Sequence, residues 1–384
     1  MLIGQTALFG KLLETLDSGR VPHAWLFSGE AGRGALPLAL AYAGELICRD
    51  HPQPEICRRK CRKFQHPDLH FAFPVATNSK VKSHPVSSLF LEEWREFLAT
   101  RPYGNLFDWY RHIGVENKQG QIGVEEARDI VKRLRLKPYE GTRQVMIIWM
   151  AEKMNTAAAN KLLKIIEEPP PGTVFILITG NDGQLIDTLR SRCQIVRLDP
   201  IPEEEIRKAL VSSGKVPENE AEIWAKRADG SYGRALYLLE EAGDIERFDT
   251  WFVTWVRAAF KAKGNPAIVL ELTAWAEDIA SYGREVQKEF LKYALEIFRQ
   301  ALLIRYGAGD ITHYRSLVEG FDLRRFAPFV HNGNIVEIVN ALESAIYHIQ
   351  RNAHAKLLLL DLSMKLTRLL HRNVIPGQEK ITSV

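Results

Sequence analysis

The order of apolar and polar positions divides the first 200 residues into short strands and amphipathic helices. Five short runs are almost continuously apolar, which is typical of strands buried on both faces. Segments before and between them place apolar residues at helical spacing, beginning with Leu8, Leu12 and Leu16. This alternation predicts a parallel sheet covered by helices on both sides. The apolar runs are residues 23–29, 68–74, 143–150, 172–180 and 193–200.

The pattern changes after residue 200. Pro200 and Pro202 mark a boundary, and the acidic residues that follow suit the N-terminus of a helix. Two or three short helices are predicted from 203 to about 241, and from about 245 onward the apolar spacing is helical throughout. We expect a bundle of about five or six helices there, ending in a loose tail over the last dozen residues. The predicted domains are residues 1–200, 201–243 and 244–384.

Composition narrows the class of protein. The chain has 384 residues, with 51 Lys and Arg against 47 Asp and Glu, and a net charge of +4 does not by itself indicate nucleic-acid binding. Four cysteines are too few for a disulfide framework in a chain of this length. The N-terminal residues lack the order of a signal peptide, and no apolar run is long enough for a membrane span. We therefore expect a soluble, cytoplasmic protein.

The segment GEAGRGAL has the glycines of a phosphate-binding loop without its reactive side chains. In the signature G-x-x-x-x-G-K-[ST], backbone N–H groups cradle phosphates, the Lys reaches the terminal phosphates and the hydroxyl binds magnesium. Gly29, Gly32 and Gly34 are in register with this signature. Ala35, however, replaces the Lys, and Leu36 replaces the hydroxyl residue. By itself the segment fits a degenerate nucleotide loop and an ordinary glycine turn equally well.

The end of the 143–150 run lacks the carboxylates that hold magnesium in phosphate-binding folds. Trp149 and Met150 stand at those positions, and only Glu152 remains nearby. The joint absence of the phosphate-binding Lys, the hydroxyl and the magnesium carboxylate indicates a fold that does not hydrolyse ATP. The residues alone support a nucleotide-type fold without ATPase chemistry.

The order of several longer segments resembles one protein family. In chain order these are LIGQTALFGKLLETLDSGRVPHAWLFSGEAGRGA, HPDLHF, LKPYEGTRQVMIIWMAEKMNTAAANKLLKIIEEPP and FILITGNDGQLIDTLRSRCQIVRLDP. The series closely resembles the delta-prime family of bacterial DNA polymerase III clamp-loader subunits, strongly to about residue 240 and weakly beyond. Its most specific parts are ANKLLKIIEEPP and TLRSRCQ. The resemblance implies an α/β plus all-α fold, with a RecA-like AAA+ domain, a small helical lid and a C-terminal helical collar.

The resemblance gives a role to Ser191, Arg192 and Cys193, which match the family's SRC motif. In clamp loaders this Arg reaches toward ATP held by a neighbouring subunit, as an arginine finger. Arg suits the task because its planar, permanently charged group can contact two phosphate oxygens at once. The alternative is a surface cation paired with a carboxylate, which contributes less than about 1 kcal/mol. The surrounding TLRSRCQ favours the finger.

Two further positions match places where active family members sense nucleotide. Thr179 ends a predicted strand where the family carries a polar residue near the γ-phosphate, and Arg234 matches a lid position. Without the Lys and the magnesium ligands, Thr179 has little to sense. Arg234 fits an ordinary helix surface equally well.

Residues 76–120 depart from the family's usual short connection. This insert carries several large aromatic residues and no evident catalytic group. We expect a small packed helical appendage, and a partner-binding surface is the functional interpretation of the same pattern. The aromatic residues include Trp94, Phe97, Phe107, Trp109 and Tyr110.

Cys48, Cys57 and Cys61 have a spacing close to that of a zinc module. They read C-x8-C-x3-C, whereas the family's module reads C-x8-C-x2-C-x2-C and has one more ligand. Structural zinc takes four ligands in a closed tetrahedron, and His51 or His66 is a candidate for the fourth. A metal-free hairpin with free thiols fits the sequence equally well.

Two basic clusters, residues 58–63 and 132–137, are candidates for DNA contact within an assembly. Solvated helix faces explain both clusters equally well. Neither cluster therefore decides whether the chain contacts DNA directly.

The resemblance implies a non-hydrolysing clamp-loader subunit that supports loading of the sliding clamp onto primed DNA during replication. It implies no cofactor for hydrolysis in this chain, ATP on a neighbouring subunit, and gamma/tau and delta subunits as partners joined through helical collars. No membrane partner is expected, and the chain would be a component of the DNA polymerase III holoenzyme without being catalytic alone. The alternatives are a gamma/tau-like clamp-loader ATPase and a zinc-hairpin nucleic-acid-binding module.

Overall fold

The computed structural model describes residues 2–115, 118–240, 242–262, 265, 267–309, 312, 314 and 316–372. The chain divides into two compact units, Met1–Leu239 and Glu240–Val384. The first unit contains most of the segment predicted as a separate lid, and the three-domain division stays a prediction. The tail predicted for the last dozen residues lies outside the described residues.

A five-stranded parallel sheet forms the centre of the first unit. The strands are β1 Ala24–Ser28, β2 Leu69–Ala72, β3 Gln144–Trp149, β4 Thr173–Thr179 and β5 Gln194–Arg197. Their spatial order is β2-β3-β4-β1-β5, and Leu26 of β1 lies opposite both Leu177 and Ile195. β1, β3 and β4 are buried along their whole length, whereas the edge strand β5 is exposed at both ends. Each strand lies within one of the predicted apolar runs, which confirms the α/β prediction.

Helices cover both faces of this sheet and continue beyond it. Local sequence sets several of their starts: Pro54 lies at the first position of α3, Asn105 and Asp108 form a capping box on α5, and Asn155 caps α7. The last three helices are the short ones predicted after residue 203. The helices are α1 Thr6–Asp17, α2 Ala35–Cys48, α3 Pro54–Arg62, α4 Leu91–Thr100, α5 Leu106–His112, α6 Val124–Leu134, α7 Thr156–Glu167, α8 Asp187–Arg190, α9 Glu203–Ser212, α10 Glu218–Arg227 and α11 Tyr232–Glu240.

Side chains alternate along the strands, so the two faces of the sheet have separate cores. In β1, Trp25 and Phe27 join a core that includes α1, α2 and the insert. Leu26 joins the opposite core, to which α6 and α7 contribute their apolar faces. Because all the strands are parallel, their carboxyl ends lie at the same edge of the sheet, and both faces of the sheet are covered by packed side chains.

The insert at residues 76–120 is part of the main core and not a separate appendage. α4 places the fully buried Trp94 in the middle of an aromatic cluster. Its ring centroid lies 4.2 Å from that of Phe73, 5.1 Å from that of Trp109 and 5.2 Å from that of Trp149. The aromatic residues correctly predicted packed helices, but they pack on the sheet itself because Phe73 and Trp149 offer apolar surface there.

The second unit contains helices and connecting segments and no strand among its described residues, as predicted. Its helices are α12 Ala242–Lys261, α13 Ile268–Ala280, α14 Arg284–Arg305, α15 Leu323–Phe326, α16 Ile335–Gln350 and α17 Ala355–Leu370. Asp249 of α12 is fully buried and accepts hydrogen bonds from three hydroxyl groups and two backbone N–H groups between residues 293 and 318. These bonds satisfy the carboxylate and tie the segment after α14 to α12. No helix among the described residues is long and apolar enough to cross a bilayer.

Glu126 gives the first unit a pH-dependent stability. The side chain is buried in α6 and accepts a hydrogen bond from the N–H of Ser87, and burial raises the pKa of its carboxyl from 4.5 to about 7. Because the folded state keeps this proton longer than the unfolded state, we expect the free energy of unfolding to fall as pH rises from about 4.5 to above 7. Urea titrations across this range should show that fall in the wild type and a flatter profile in Glu126→Gln. The exposed neighbour Glu125→Gln should keep the wild-type slope, and equal slopes in all three proteins would contradict the assignment.

Candidate functional site

The glycine-rich loop joins β1 to α2, as a phosphate-binding loop does. Gly32 and Gly34 have φ angles of 85° and 93°, in the left-handed region that favours glycine. A Cβ on Gly29 would lie 2.8 Å from the Cβ of Leu198. Backbone geometry therefore explains why the glycines are needed here even without a bound phosphate.

Residues at the start of α11 lie directly against this loop. The hydroxyl of Ser231 donates a hydrogen bond to the carbonyl of Ala31 at 2.9 Å, and the N–H of Gly233 donates to the carbonyl of Gly32 at 3.2 Å. The approach is so close that a Cβ on Gly32 would lie 2.3 Å from the Ser231 hydroxyl oxygen. The segment predicted as a lid is thus hydrogen-bonded to the loop.

Tyr103, from the insert, fills the other side of the loop. Its hydroxyl accepts a hydrogen bond from the N–H of Ile3 at 2.7 Å, and its ring lies 3.4 Å from the position of a Cβ on Gly34. Burial raises the pKa of Tyr103 above its usual value, so the hydroxyl stays neutral. The cavity left between the loop, Trp149 and Met150 has a volume of about 30 Å³. Pockets for drug-sized ligands are on the order of 300–1,000 Å³, so the cavity beside the loop is small.

The magnesium-binding positions have apolar occupants. Trp149 ends β3 within the aromatic cluster, and Met150 follows it with a φ of 54°. Glu152 accepts a hydrogen bond from the N–H of Gly180 at 3.2 Å through Oε1. Thr179 is buried, and its hydroxyl accepts a hydrogen bond from the N–H of Asn181 at 3.1 Å. The polar groups that remain here satisfy backbone N–H groups at the end of β4.

The sequence did not identify Tyr103 or Ser231 as part of this site. They lie about 70 and 200 residues from the loop in the chain, and neither belongs to a chemical motif. Arg234, which was a candidate for touching nucleotide, is half-buried next to them in α11. The nucleotide-sensing roles of Arg234 and Thr179 stay predictions.

Restoring the missing loop residues is expected not to restore nucleotide binding. The double substitution Ala35→Lys and Leu36→Thr supplies the absent amine and hydroxyl. The Tyr103 ring and the start of α11 still pack against the loop, where they leave little room for a phosphate. Titration with a fluorescent ATP analogue should therefore give no saturable signal. Adding Tyr103→Ala to the double variant tests the cause by removing the ring, and binding by the double variant with Tyr103 intact would contradict this account.

Arg192 lies on the surface after α8, held by two groups of its own chain. Nε and Nη2 contact Oε2 of Glu167 at 2.9 and 2.8 Å, and Nη1 donates to the carbonyl of Thr188 at 2.8 Å. About a third of its side chain, 31%, is exposed. Ser191 is exposed beside it, whereas Cys193 is partly buried and burial raises the pKa of its thiol to about 11. The three SRC residues thus combine an accessible, oriented Arg with an unreactive thiol.

The three cysteines named as candidate zinc ligands come together, but not as three free thiols. Cys48 and Cys57 form a disulfide bond, and the sulfur of Cys61 lies 3.5 Å from that of Cys48. Burial raises the pKa of the Cys61 thiol to about 12. The disulfide removes two thiolate ligands, so this sulfur set does not fit a closed four-ligand zinc site as it stands. The segment is also the helix α3 and not a hairpin.

The candidate fourth ligands belong to a second group near the cysteines, since the N–H of His51 donates a hydrogen bond to the carbonyl of Cys48 at 3.3 Å. Nitrogen atoms of His51 and His66 group with a carboxylate oxygen of Glu140, all within 4.8 Å of one another. Zinc on Cys48, Cys57 and Cys61 therefore stays a prediction, with no histidine assigned to it.

The basic clusters have part of their charge paired within the chain. Arg58 contacts Glu45 and Glu55, and Arg133 contacts Asp129. Most of the other basic residues in the two clusters are exposed, as expected for solvated helix faces. Direct DNA contact stays a prediction.

Comparison with known proteins places the chain in a family. Residues 4–202, more than half of the chain, match the family model described as DNA polymerase III, delta subunit. The DNA polymerase III subunit delta' of Haemophilus influenzae is 28% identical over 248 residues, which are 62% of this chain and 62% of that relative. The subunit delta' of Bacillus subtilis is 27% identical over 210 residues, covering 54% of this chain and 51% of that relative.

A gamma subunit-related protein of DNA polymerase III from Thermotoga maritima, a solved structure, is 16% identical with a TM-score of 0.40, covering 94% of this chain and 99% of that one. The chain thus spans between about half and 62% of the length of the two delta' relatives. The family model nevertheless covers the sheet, the glycine-rich loop and the SRC residues. The chain therefore belongs to the DNA polymerase III delta-subunit family and is similar within it to the subunits named delta'.

Proposed function

We propose that the chain is a clamp-loader subunit of the delta-prime type. It does not hydrolyse ATP and supports the ATP-dependent loading of the sliding clamp onto primed DNA during replication. The observation that carries this proposal is the glycine-rich loop, which keeps its backbone shape while Tyr103 and Ser231 pack directly against it and the cavity beside it is small. A motor subunit needs that space, so the chemistry belongs to a neighbouring subunit.

Arg192 is the proposed catalytic contribution of this chain, acting as an arginine finger on ATP held by that neighbour. Its exposure, and the contacts with Glu167 and Thr188 that fix its direction, support this role. Ser191 and Cys193 shape the turn that carries it.

The proposed partners are gamma/tau and delta subunits, joined through the helical second unit. Several of its helices expose large apolar side chains, which interfaces between subunits use. These are Leu270, Val336, Tyr347 and Leu357. The sliding clamp and primed DNA are partners through the assembly.

Reconstitution tests the proposal. The purified chain should bind and hydrolyse no ATP alone, co-purify with gamma/tau and delta subunits, and be required for clamp loading onto primed DNA by the mixture. ATP hydrolysis by the chain alone, abolished by changes in residues 29–36, would support the motor alternative. Salt-sensitive DNA binding by the isolated chain, lost when Arg58, Arg59 and Lys60 are neutralised, would support the nucleic-acid-binding module.

A further inference from the structure

Three segments of the first unit bring two imidazoles and a carboxylate to one place. His51 follows α2, His66 lies between α3 and β2, and Glu140 lies in the loop before β3. One nitrogen of each His and one oxygen of the Glu all lie within 4.8 Å of one another. The proposed function does not use these residues.

His66 has a buried nitrogen without a hydrogen-bond partner. The residue is 2% exposed, and its Nε2 is unpartnered among the described residues. That atom lies 3.5 Å from Oε2 of Glu140. The other nitrogen, Nδ1, accepts a hydrogen bond from the N–H of Asp68 at 3.2 Å, which fixes the direction of the ring. An orphaned polar atom at this depth is costly unless something binds it.

His51 and Glu140 each have one side-chain atom engaged in another contact. Nδ1 of His51 accepts a hydrogen bond from the N–H of Gln53 at 3.0 Å, and its ring centroid lies 6.3 Å from that of His66. Oε1 of Glu140 pairs with Lys60, so Oε2 is the oxygen on the side of His66. The arrangement offers two nitrogen ligands and one oxygen ligand.

We propose that His51, His66 and Glu140 form a binding site for a divalent transition-metal ion, with none of the three cysteines as a ligand. Two imidazoles and a carboxylate suit zinc and its neighbours, and bonds of about 2.1 Å place tetrahedral ligands roughly 3.4 Å apart. The side chains need to move inward by only about 1 Å or less to reach that spacing.

The surrounding charges and tautomers allow a cation. Glu140 and Asp68 bring two negative charges and Lys60 one positive, so the three groups sum to one negative charge. Metal binding through Nε2 of His66 moves its proton to Nδ1. Nδ1 then gives up the hydrogen bond that it accepts from the N–H of Asp68, and the ring must shift to donate to Oδ2 of Asp68, now 4.0 Å away. A carboxylate behind a metal-bound imidazole is the usual way to orient that ring.

Metal titration of the full chain tests the site, with cobalt(II) and zinc(II) salts as the probes after removal of metal by a chelator. The background is a variant with all three cysteines, Cys48, Cys57 and Cys61, changed to Ser. We expect one equivalent of cobalt to bind without the intense absorption that thiolate ligands cause. His51→Gln and Glu140→Gln should each weaken binding by at least about 10–100-fold. Mutation of residues that only hydrogen-bond to metal ligands already lowers affinity by that factor, so loss of a ligand should cost at least as much. Lys60→Met should strengthen binding, because it removes the opposing cation.

The controls separate a metal site from a structural role. His112, 3.6 Å from Glu96, is a matched histidine and carboxylate pair without a second histidine, and His112→Gln should leave binding unchanged. Because His66→Gln can weaken folding, its readout is the zinc-dependent rise in melting temperature within that variant, which should disappear. A thiolate absorption in the wild type that vanishes with the cysteines, together with all binding, would overturn the proposal. So would full affinity in His51→Gln and Glu140→Gln.

Discussion

Arg192→Ala in a reconstituted clamp loader is expected to slow ATP hydrolysis at one neighbouring nucleotide site by about 10³-fold or more. An arginine finger supplied in trans contributes about 10³ to 10⁵ in rate in other nucleotide hydrolases, because it neutralises charge that develops on the transferred phosphate. Assembly should be unchanged, since the contacts of the Arg192 side chain among the described residues are with Glu167 and Thr188 of its own chain. The measurement is clamp- and DNA-stimulated ATPase, with gel filtration of the complex in parallel.

Arg190→Ala is the matched control for this experiment. Arg190 lies two residues away, pairs with Asp187 and has 39% of its side chain exposed, against 31% for Arg192. It should leave turnover unchanged. Equal losses in both variants would indicate a general effect of positive charge, and unchanged turnover in Arg192→Ala would remove the finger from the mechanism.

Trp94→Ala is expected to lower the free energy of unfolding of the first unit by about 3–5 kcal/mol. The indole is fully buried among Phe73, Trp109 and Trp149, and truncation removes its contacts and leaves a cavity between α4 and the sheet. Chemical denaturation of the full chain, followed by tryptophan fluorescence and by circular dichroism, gives the value. Loss of this size would remove a large share of the stability of a typical domain.

Leu89→Ala provides the control within the same insert. Leu89 is 54% exposed, so its truncation should change stability by less than about 0.5 kcal/mol. If Trp94→Ala were as mild as Leu89→Ala, the insert would pack as an appendage after all. Its aromatic residues would then be available to a partner.

The sheet was predictable from sequence because its strands are buried on both faces. In a chain where helices alternate with short continuous apolar runs, such runs are typical of strands in a covered parallel sheet, as in the run that ends at Trp149. The position of the insert was not predictable, because its pattern shows which residues are buried and not which surface buries them. Trp94 packs on the sheet because Phe73 and Trp149 come together there through long-range strand pairing.

The candidate site also has one part that the sequence predicts and one part that only the fold reveals. The sequence shows that Ala35 and Leu36 replace the Lys and hydroxyl residues, because the phosphate-loop signature is a short local pattern. The groups that fill the space, Tyr103 and Ser231, come from distant segments and carry no signature of their own. Glu140 was likewise missed, since only the fold places it beside the two histidines.

Under the proposed non-hydrolysing function, the position of Trp149 makes a return to nucleotide chemistry difficult. An Asp at this position would bury a charge within the aromatic cluster around Trp94, at a cost of several kcal/mol without a metal to pair with it. A Lys at residue 35 gains nothing while Tyr103 fills the space beside Gly34. Each single step back toward an ATPase is therefore harmful or neutral until the others are in place.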